Sequence, residues 1–279
     1  MRWRPAGGFP VSMRPVIDDG AGHTDTLRDD ANVSGAEGHV DEAVRARFFP
    51  SQPAGVLVEV GAAHPAYLSL SALYRGLGWR VIAVEPNPEF CELHSAQGHE
   101  ILQYACGDHD EDGVDFSVVD SHGTEYGGGQ VSYESFSSLG IKDSYADLID
   151  PTVSISAIKV NLRRLDTLLG EHAPDVERID IVAIDVEGWE LEVLDGLDLA
   201  RFKPRVLIVE NLFAEKRYRT YMRSRGYELW RHLAPNDVYA IPAEIRWHDR
   251  LTRSADRLRA RGRRLRSSAQ GRPDANATI

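Results

Sequence analysis

Cysteine is scarce in this chain of 279 residues, which has only Cys91 and Cys106. Two cysteines are too few for a disulfide framework, and no CxxC pair suggests a zinc site. Long apolar runs are also missing, since no stretch approaches the ~18 residues of a membrane span. The N-terminus lacks the apolar core of a signal peptide. These absences predict a cytoplasmic protein without a disulfide framework, a zinc centre or a membrane span.

The net charge of −11 is unevenly distributed along the chain. Residues 246–279 contain ten arginines and three aspartates, so this tail carries +7 and residues 1–245 carry −18. A core this acidic repels phosphate backbones, which argues against a nucleic-acid substrate. The tail can be read as a solvated, partly helical extension, or as a contact for nucleic acid, anionic lipid or an acidic partner.

The pattern of apolar residues divides the chain into three parts. Residues 1–38 have no apolar period and are predicted to be disordered, residues 39–245 form one domain with its core at 55–241, and residues 246–279 form the arginine-rich tail. Strand-like and helix-like segments alternate within the core. The predicted strands are 55–60, 80–85, 100–104, 157–160, 179–185, 205–210, 227–230 and 238–241, and the predicted helices are 41–49, 66–77, 88–97, 164–171, 189–194 and 214–225.

This alternation predicts an α/β, Rossmann-like fold with a mostly parallel sheet and helices on both of its faces. The less regular stretch 106–151 interrupts the alternation. We interpret it as a lid-like insertion over the edge of the sheet.

The turn after the first predicted strand is a candidate ligand loop. Glu59, Gly61 and Ala62 lie in the segment EVGAAHP, where a small residue lets a ligand approach the backbone. The segment lacks the second and third glycines of GxGxxG, which disfavours a nicotinamide dinucleotide but not an adenosyl ligand without a diphosphate. An ordinary packing turn is the alternative.

Carboxylates follow the next two predicted strands. Glu85, followed by Pro86, ends the second strand about two dozen residues after the first turn, where a carboxylate can accept both ribose hydroxyls. Asp108 follows the third strand and is a candidate contact for an adenine amino group, although Gly-Asp is also a common turn pair. The spacing of these residues favours an adenosine-type cofactor.

A third acidic signal comes from the segments IDVEG and VEN. Asp185 and Glu187 follow one buried strand, and Glu210 and Asn211 end the next, so these side chains are expected to converge at one sheet edge. Buried charges are costly unless they are paired, which favours a functional interpretation. The cluster is a candidate to stabilise a sulfonium, orient a substrate hydroxyl or act as a general base; a divalent metal is an alternative that we do not predict.

Together these strand ends resemble the FkbM-type methyltransferase family. The most specific piece is IDVEGWELEVLDG at 184–196, supported by VEVGA at 58–62, VEPN at 84–87, SFSSL at 135–139, RLDTL at 164–168 and VEN at 209–211. The resemblance covers about residues 55–241. It implies a class I methyltransferase fold and S-adenosylmethionine as methyl donor, often with a hydroxyl of a sugar or natural-product intermediate as acceptor.

When the family's motifs are matched to this sequence position by position, the resemblance implies that Glu59 and Gly61 lie in the first cofactor motif. It also implies that Glu85 binds the ribose and that Asp185 lies beside the methyl group or acceptor. The segment GAAHP departs from the loop closer to GANIG in many members, and it brings His64 beside the donor. A histidine there suits a general base at neutral pH, but a loop histidine that packs or caps the helix is the simpler interpretation.

Two serines of the predicted insertion, Ser137 and Ser138, are candidates to bind the cofactor carboxylate or substrate hydroxyls, or else to form a turn. We interpret Trp79, Trp189 and Trp230 as packing residues. The histidines at 94, 99, 109 and 122 have no metal spacing and are taken as surface or lid residues.

Two rival interpretations remain besides a methyltransferase acting on a small molecule or glycan. One is a nucleotide-dependent oxidoreductase on the same architecture. The other is a non-catalytic module that uses its surface or its arginine-rich tail to bind a partner. The sequence indicates neither the identity of the acceptor nor the oligomeric state.

Overall fold

The structure is a computed structural model that describes residues 35–120, 136–149, 153–246 and 249. All of these lie in one compact unit, Ala31–Ile279. Nearly all of the predicted disordered segment 1–38 and of the arginine-rich tail 246–279 lies outside the described residues. The longest described helices have nine residues, and none of the described helices could cross a membrane.

A seven-stranded sheet confirms the predicted Rossmann-like architecture. Its strands are β1 (Val56–Val60), β2 (Arg80–Val84), β3 (Ile101–Leu102), β7 (Ile181–Ile184), β8 (Val206–Glu210), β9 (Glu228–Leu233) and β10 (Asn236–Ala240). The strand order is β3-β2-β1-β7-β8-β10-β9. The first five strands are parallel, and β10 runs antiparallel to both β8 and β9. The central strands are continuous β-branched and apolar runs because both faces of the sheet are covered.

Helices cover both faces of this sheet, as predicted. The described helices are α1 (Val40–Phe48), α2 (Ala72–Gly76), α3 (Pro88–Ala96), α4 (Asp143–Ala146), α5 (Leu165–His172), α6 (Glu190–Asp195), α7 (Leu199–Phe202) and α8 (Lys216–Ser224), with short 3-10 helices at Glu37–His39 and Pro242–Glu244. Leu57 packs in a core with α1 and α2, whereas its neighbour Val58 packs in a second core with α5, α6 and α8. Successive side chains of a strand point to opposite faces, so β1 contributes to both cores.

The boundary of the predicted insertion is wrong. Strands β4 (Ala105–Gly107), β5 (Glu111–Asp120) and β6 (Ser154–Arg164) form a separate three-stranded sheet in the order β4-β6-β5. The predicted strand 157–160 therefore belongs to this second sheet and not to the main alternation. Most residues of β6 are exposed or half-buried, which is typical of a strand with one solvated face and differs from the fully buried β7 and β8.

The predicted helix 66–77 is also shorter than expected, since α2 begins only at Ala72. Leu68 adopts a left-handed conformation with φ of 52°, which interrupts a helix. Glu59 accepts hydrogen bonds from the backbone N–H and the hydroxyl of Ser71. These bonds hold residues 64–71 as an irregular loop beside the carboxyl edge of the sheet.

Candidate functional site

The candidate site lies where the strand order of the main sheet reverses. Strand β1 is flanked by β2 on one side and by β7 on the other, and ligands of open α/β sheets bind at the carboxyl end of such a switch point. The N–H of Asp185 donates to Val60 O at 3.0 Å, and the N–H of Gly61 donates to Val84 O at 2.9 Å. The ends of β1, β2 and β7 are therefore fixed against one another.

A pocket opens at this edge between the main sheet and the second sheet. It is lined by Val60, Gly61, Ala63, Glu85, Pro86, Phe90, Tyr104, Ala105, Cys106, Phe116, Ser137, Ser138, Leu139, Asp185, Val186 and Trp189. Six of the predicted site residues are in this set. They are Gly61, Glu85, Pro86, Ser137, Ser138 and Asp185.

Glu85 lines the pocket with a buried carboxylate. Its Oε2 accepts the N–H of Ala63 at 2.9 Å, and its Oε1 accepts the N–H of Asn87 at 2.8 Å. The pKa of Glu85 is raised to about 7, mainly by burial and in smaller part by the nearby Glu59 carboxylate, while the two N–H donors oppose the shift. Each carboxylate oxygen has a second lone pair, so Glu85 can still accept two hydroxyl groups.

Glu59, Ala62 and His64 lie in the same motif but outside the pocket lining. The carboxylate of Glu59 accepts from Ser71, with Arg75 at 3.9 Å, and its burial raises its pKa. The Nδ1 of His64 accepts the backbone N–H groups of residues 66 and 67 at 3.1 and 3.0 Å. Both side chains thus shape the loop, and His64 matches the simpler interpretation of a loop-capping histidine.

His94 is fully buried, so the prediction of a surface or lid residue is wrong. Its Nε2 lies 3.1 Å from the carbonyl oxygen of Ala63, and its Nδ1 lies 3.2 Å from Nδ1 of His99. Burial is the main cause that lowers the pKa of His94 to about 4. The neutral ring donates to Ala63, whose φ of 43° is unusual for a residue with a side chain. His94 is therefore a positioning residue for the ligand loop.

Asp108 is not brought to the pocket. Its exposed carboxylate lies 2.6 Å from Nδ1 of His109, and this hydrogen bond is the main cause that lowers the pKa of Asp108. The loop after β3 instead contributes Tyr104 to the lining, and β4 of the second sheet contributes Ala105 and Cys106. The spacing of the residues predicted the correct edge of the sheet. It did not predict which side chain faces the pocket.

Asp185, Glu187 and Glu210 converge as the sequence predicted. Each offers a carboxylate oxygen, and these oxygens all lie within 4.8 Å of one another. Asp185 is exposed to solvent in the open pocket, whereas Glu187 and Glu210 are 6% and 5% exposed. Burial is the main cause that raises the pKa of Glu187 and Glu210, and neighbouring carboxylates raise it as well.

Tyr145 is a functional candidate that sequence reasoning missed. It lies on α4, in the segment that packs over the cluster, and its hydroxyl donates to Oε2 of Glu210 at 3.0 Å. Its ring also makes an edge contact with Phe213 at a centroid distance of 5.1 Å. A Cβ atom on Gly188 would lie 2.9 Å from the Tyr145 ring, so a glycine beside Glu187 permits this packing. Nothing local to residue 145 in the sequence indicates these contacts.

Asn211 follows Glu210, but its side chain forms hydrogen bonds that stabilise the fold. Its Nδ2 donates to Glu215 O at 3.2 Å and to Asp237 Oδ2 at 2.9 Å, and its Oδ1 accepts the Glu215 N–H at 2.7 Å. The same turn therefore sends Glu210 to the cluster and uses Asn211 to fix the start of α8.

The two predicted serines face the pocket in different ways. Ser137 Oγ accepts the N–H of Val119 at 3.0 Å, whereas Ser138 Oγ is buried without a hydrogen-bond partner among the described residues. The backbone of Ser138 pairs with Ser117 of the second sheet. Trp189 also lines the pocket and donates from Nε1 to Gly140 O at 3.1 Å, while Trp79 and Trp230 lie in the core.

Comparison of the whole domain with known protein families identifies the family of this chain. A family model described as the methyltransferase FkbM domain matches residues 59–229, which is more than half of the chain. The chain belongs to the FkbM methyltransferase family. The resemblance seen in the strand-end motifs is thus confirmed, and the mostly parallel sheet agrees with the Rossmann-like fold that it implied.

Two relatives of this FkbM-family protein match it in short segments. It is 39% identical over 69 residues to AMB antimetabolite synthetase AmbE of Pseudomonas aeruginosa, and 49% identical over 47 residues to methyltransferase sdnD of Sordaria araneosa. These matches cover 24% and 15% of this chain but only 3% and 18% of those proteins. A solved precorrin-6y C5,15-methyltransferase from Geobacter metallireducens GS-15 is 14% identical with a TM-score of 0.31, covering 68% of this chain and 71% of that one.

Proposed function

We propose that this protein transfers a methyl group from S-adenosylmethionine to a hydroxyl of a sugar or of a natural-product or other small-molecule intermediate. The observation that carries the proposal is the pocket at the switch point, where Gly61, Glu85 and Asp185 follow three adjacent strands. Gly61 lets a ligand approach the backbone closely, Glu85 offers a carboxylate to a ribose, and Asp185 offers a carboxylate at the pocket floor. These features suit an adenosyl donor and a polar acceptor.

The lining residues fit the cofactor by their hydrogen-bonding capacity. Glu85 keeps a free lone pair on each oxygen for two ribose hydroxyls. Gly61 presents bare backbone, and the buried hydroxyl of Ser138 has no partner among the described residues. An unpaired buried hydroxyl costs about 1–3 kcal/mol, which a polar ligand group can recover. We assign Glu85 to the ribose and Ser138 to a polar group of the cofactor or acceptor.

Asp185 is our candidate for the group that contacts the acceptor. When bound, S-adenosylmethionine supplies a methyl carbon that takes an electron pair from the acceptor oxygen while the sulfur keeps the electrons of the broken bond. Asp185 orients the hydroxyl and accepts its proton, since it is the carboxylate of the acidic cluster that lines the pocket. Glu187 and His64 are weaker candidates because the pocket lining includes neither. Alignment of two reactants is itself worth several kcal/mol, up to about 7–11.

The acceptor class is supported by the acidic surroundings and by the relatives. A negatively charged pocket floor disfavours phosphorylated or nucleic-acid acceptors and tolerates neutral hydroxyl compounds. One relative is named a methyltransferase, and the name of the other refers to an antimetabolite synthetase. These names favour a biosynthetic intermediate as the acceptor.

The proposal is tested by calorimetric titration of the full chain with S-adenosylhomocysteine. We expect micromolar binding that Glu85→Ala weakens at least tenfold, because both ribose contacts are removed. The matched control is Glu92→Ala, an exposed glutamate on α3, which should bind as the wild type does. Transfer of labelled methyl groups from S-adenosylmethionine to a panel of sugars and hydroxylated small molecules then identifies the acceptor.

Absence of S-adenosylhomocysteine binding to folded protein would overturn the proposal. Binding of NADH in its place would favour the oxidoreductase alternative. Binding of neither, together with tail-dependent capture of a partner, would favour the non-catalytic module.

A further inference from the structure

The carboxylates of Asp185, Glu187 and Glu210 are closer together than their charges favour. Asp185 and Glu187 follow β7, Glu210 is the last residue of β8, and one oxygen of each lies within 4.8 Å of the others. Two of the three side chains are more than nine-tenths buried. Like charges at this distance repel strongly where water is scarce, so an arrangement without a counter-charge is costly.

A second observation concerns Glu187 alone. Its side chain is 6% exposed, and its Oε2 is buried with no hydrogen-bond partner among the described residues. Its backbone has a φ of 58°, a conformation that costs a non-glycine residue about 1–2 kcal/mol. The chain thus adopts an unfavourable backbone conformation and still leaves a buried carboxylate oxygen without a donor.

The carboxylate of Glu190, which lies near the cluster, already has hydrogen-bond donors. Glu190 accepts the N–H groups of Val186 and Gly188 and the hydroxyl of Tyr218. Glu210 accepts the hydroxyl of Tyr145 at its Oε2. A missing positive charge would explain both the proximity and the orphaned oxygen.

We propose that Asp185, Glu187 and Glu210 bind one divalent cation of the Mg²⁺ or Mn²⁺ type at the floor of the pocket. Ligands that are all oxygen favour these hard cations over zinc or copper. Mg²⁺ takes about six oxygen ligands, so three carboxylates leave positions for water or for oxygens of a bound molecule.

The position of the cation also defines an acceptor class, a step that rests on the proposed function. Asp185 belongs both to the cluster and to the pocket lining, so the cation faces the space that an acceptor would enter. An acceptor with two neighbouring oxygens, such as a vicinal diol or a hydroxy-carbonyl compound, can bind the cation through both. Asp185 can hold the cation through one oxygen and accept the hydroxyl proton through the other.

Binding of Mn²⁺ to the full chain tests the site without any need for activity. We expect calorimetry and electron paramagnetic resonance to show one bound Mn²⁺ per chain, displaced by Mg²⁺. Glu187→Gln should weaken Mn²⁺ binding at least tenfold, and Glu210→Gln should do the same. The matched control is Glu111→Gln, an exposed carboxylate of β5 bonded to His109, which should leave Mn²⁺ affinity unchanged.

The outcomes separate this proposal from the proposed function. No Mn²⁺ binding to the wild type, or binding that both glutamine variants leave unchanged, overturns the cation site. If either variant fails to fold, as judged by circular dichroism, Asp185→Asn replaces it because that side chain is exposed. Binding of S-adenosylhomocysteine without Mn²⁺ rejects only the cation, whereas Mn²⁺ binding without S-adenosylhomocysteine rejects only the cofactor.

Discussion

Gly61 and Asp185 meet where β1 and β7 end, and a Cβ atom at residue 61 would lie 1.7 Å from the Asp185 carbonyl oxygen. The backbone of Gly61 also has a positive φ of 80°. Both the conformation and the lack of a side chain are therefore required where the two strands approach the pocket.

We predict that Gly61→Ala lowers the free energy of unfolding by at least about 3 kcal/mol, because the strand ends must separate. Gly78→Ala is the matched control, since Gly78 has φ of 79° and no atom within 4 Å of its Cβ position. The control should lose about 1–2 kcal/mol from backbone strain alone. Urea unfolding measures both, and equal losses would contradict the role of close approach.

The raised pKa of Glu85 predicts a specific pH dependence of stability. Its pKa is about 7 in the folded protein and near 4.5 when unfolded, so the folded state binds more protons between these values. Stability from this group is present below pH 4.5 and is lost as the pH rises through about 7. The loss is on the order of 3 kcal/mol.

Glu85→Gln should therefore gain stability relative to the wild type as the pH rises from 5 to 8. Denaturant midpoints at several pH values measure this difference, with the exposed Glu92→Gln as control. A constant difference across this range would show that Glu85 titrates normally. The same deprotonation should strengthen binding of S-adenosylhomocysteine, because only the carboxylate accepts through both oxygens.

His94 predicts a dependence of the opposite sign. Its pKa is lowered to about 4 in the folded protein, below the value of 6.5 for a free histidine, so the unfolded chain takes up the proton first on acidification. Stability from His94 is present above pH 6.5 and is lost as the pH falls through about 4. We expect wild-type stability to fall relative to His94→Gln over this interval. Parallel stability curves for the wild type and His94→Gln would contradict a buried neutral His94.

The hydrogen bond from Tyr145 to Glu210 couples the segment above the pocket to the acidic cluster. Tyr145→Phe keeps the ring packed on Phe213 but removes the donor, so we expect a loss of about 1–3 kcal/mol in unfolding free energy. Tyr221→Phe is the control, because the Tyr221 hydroxyl bonds to the exposed Asp195, and it should cost less than about 1 kcal/mol. Similar costs for both variants would mean that Glu210 does not depend on this donor.

Much of the architecture could be predicted from the sequence because it depends on local patterns. β-Branched apolar runs predicted β1, β2, β7 and β8, and the alternation with helices predicted a parallel sheet. The carboxyl ends of parallel strands share one edge. For that reason, residues that follow those strands, such as Gly61, Glu85 and Asp185, could be assigned to one site from their sequence positions.

Other elements of the fold could not be predicted from local sequence patterns. The four-residue helix α7 and the full length of β5 were not predicted, and the strand 157–160 was assigned to the wrong sheet. Short or half-exposed segments carry weak periodicity, and pairing between β5 and β6 joins residues more than thirty positions apart. Such pairing depends on which segments meet in three dimensions.

The direction of each side chain was decided by tertiary structure alone. Glu59 and Glu85 both lie at strand ends, yet Glu85 faces the pocket and Glu59 turns to Ser71. The sequence determined which residues reach the carboxyl edge, because alternating strands and helices form parallel βαβ units whose strands all end at one edge. Only the folded chain decided which of them face the pocket and that Tyr145 and His94 support them, since those contacts join segments far apart in sequence.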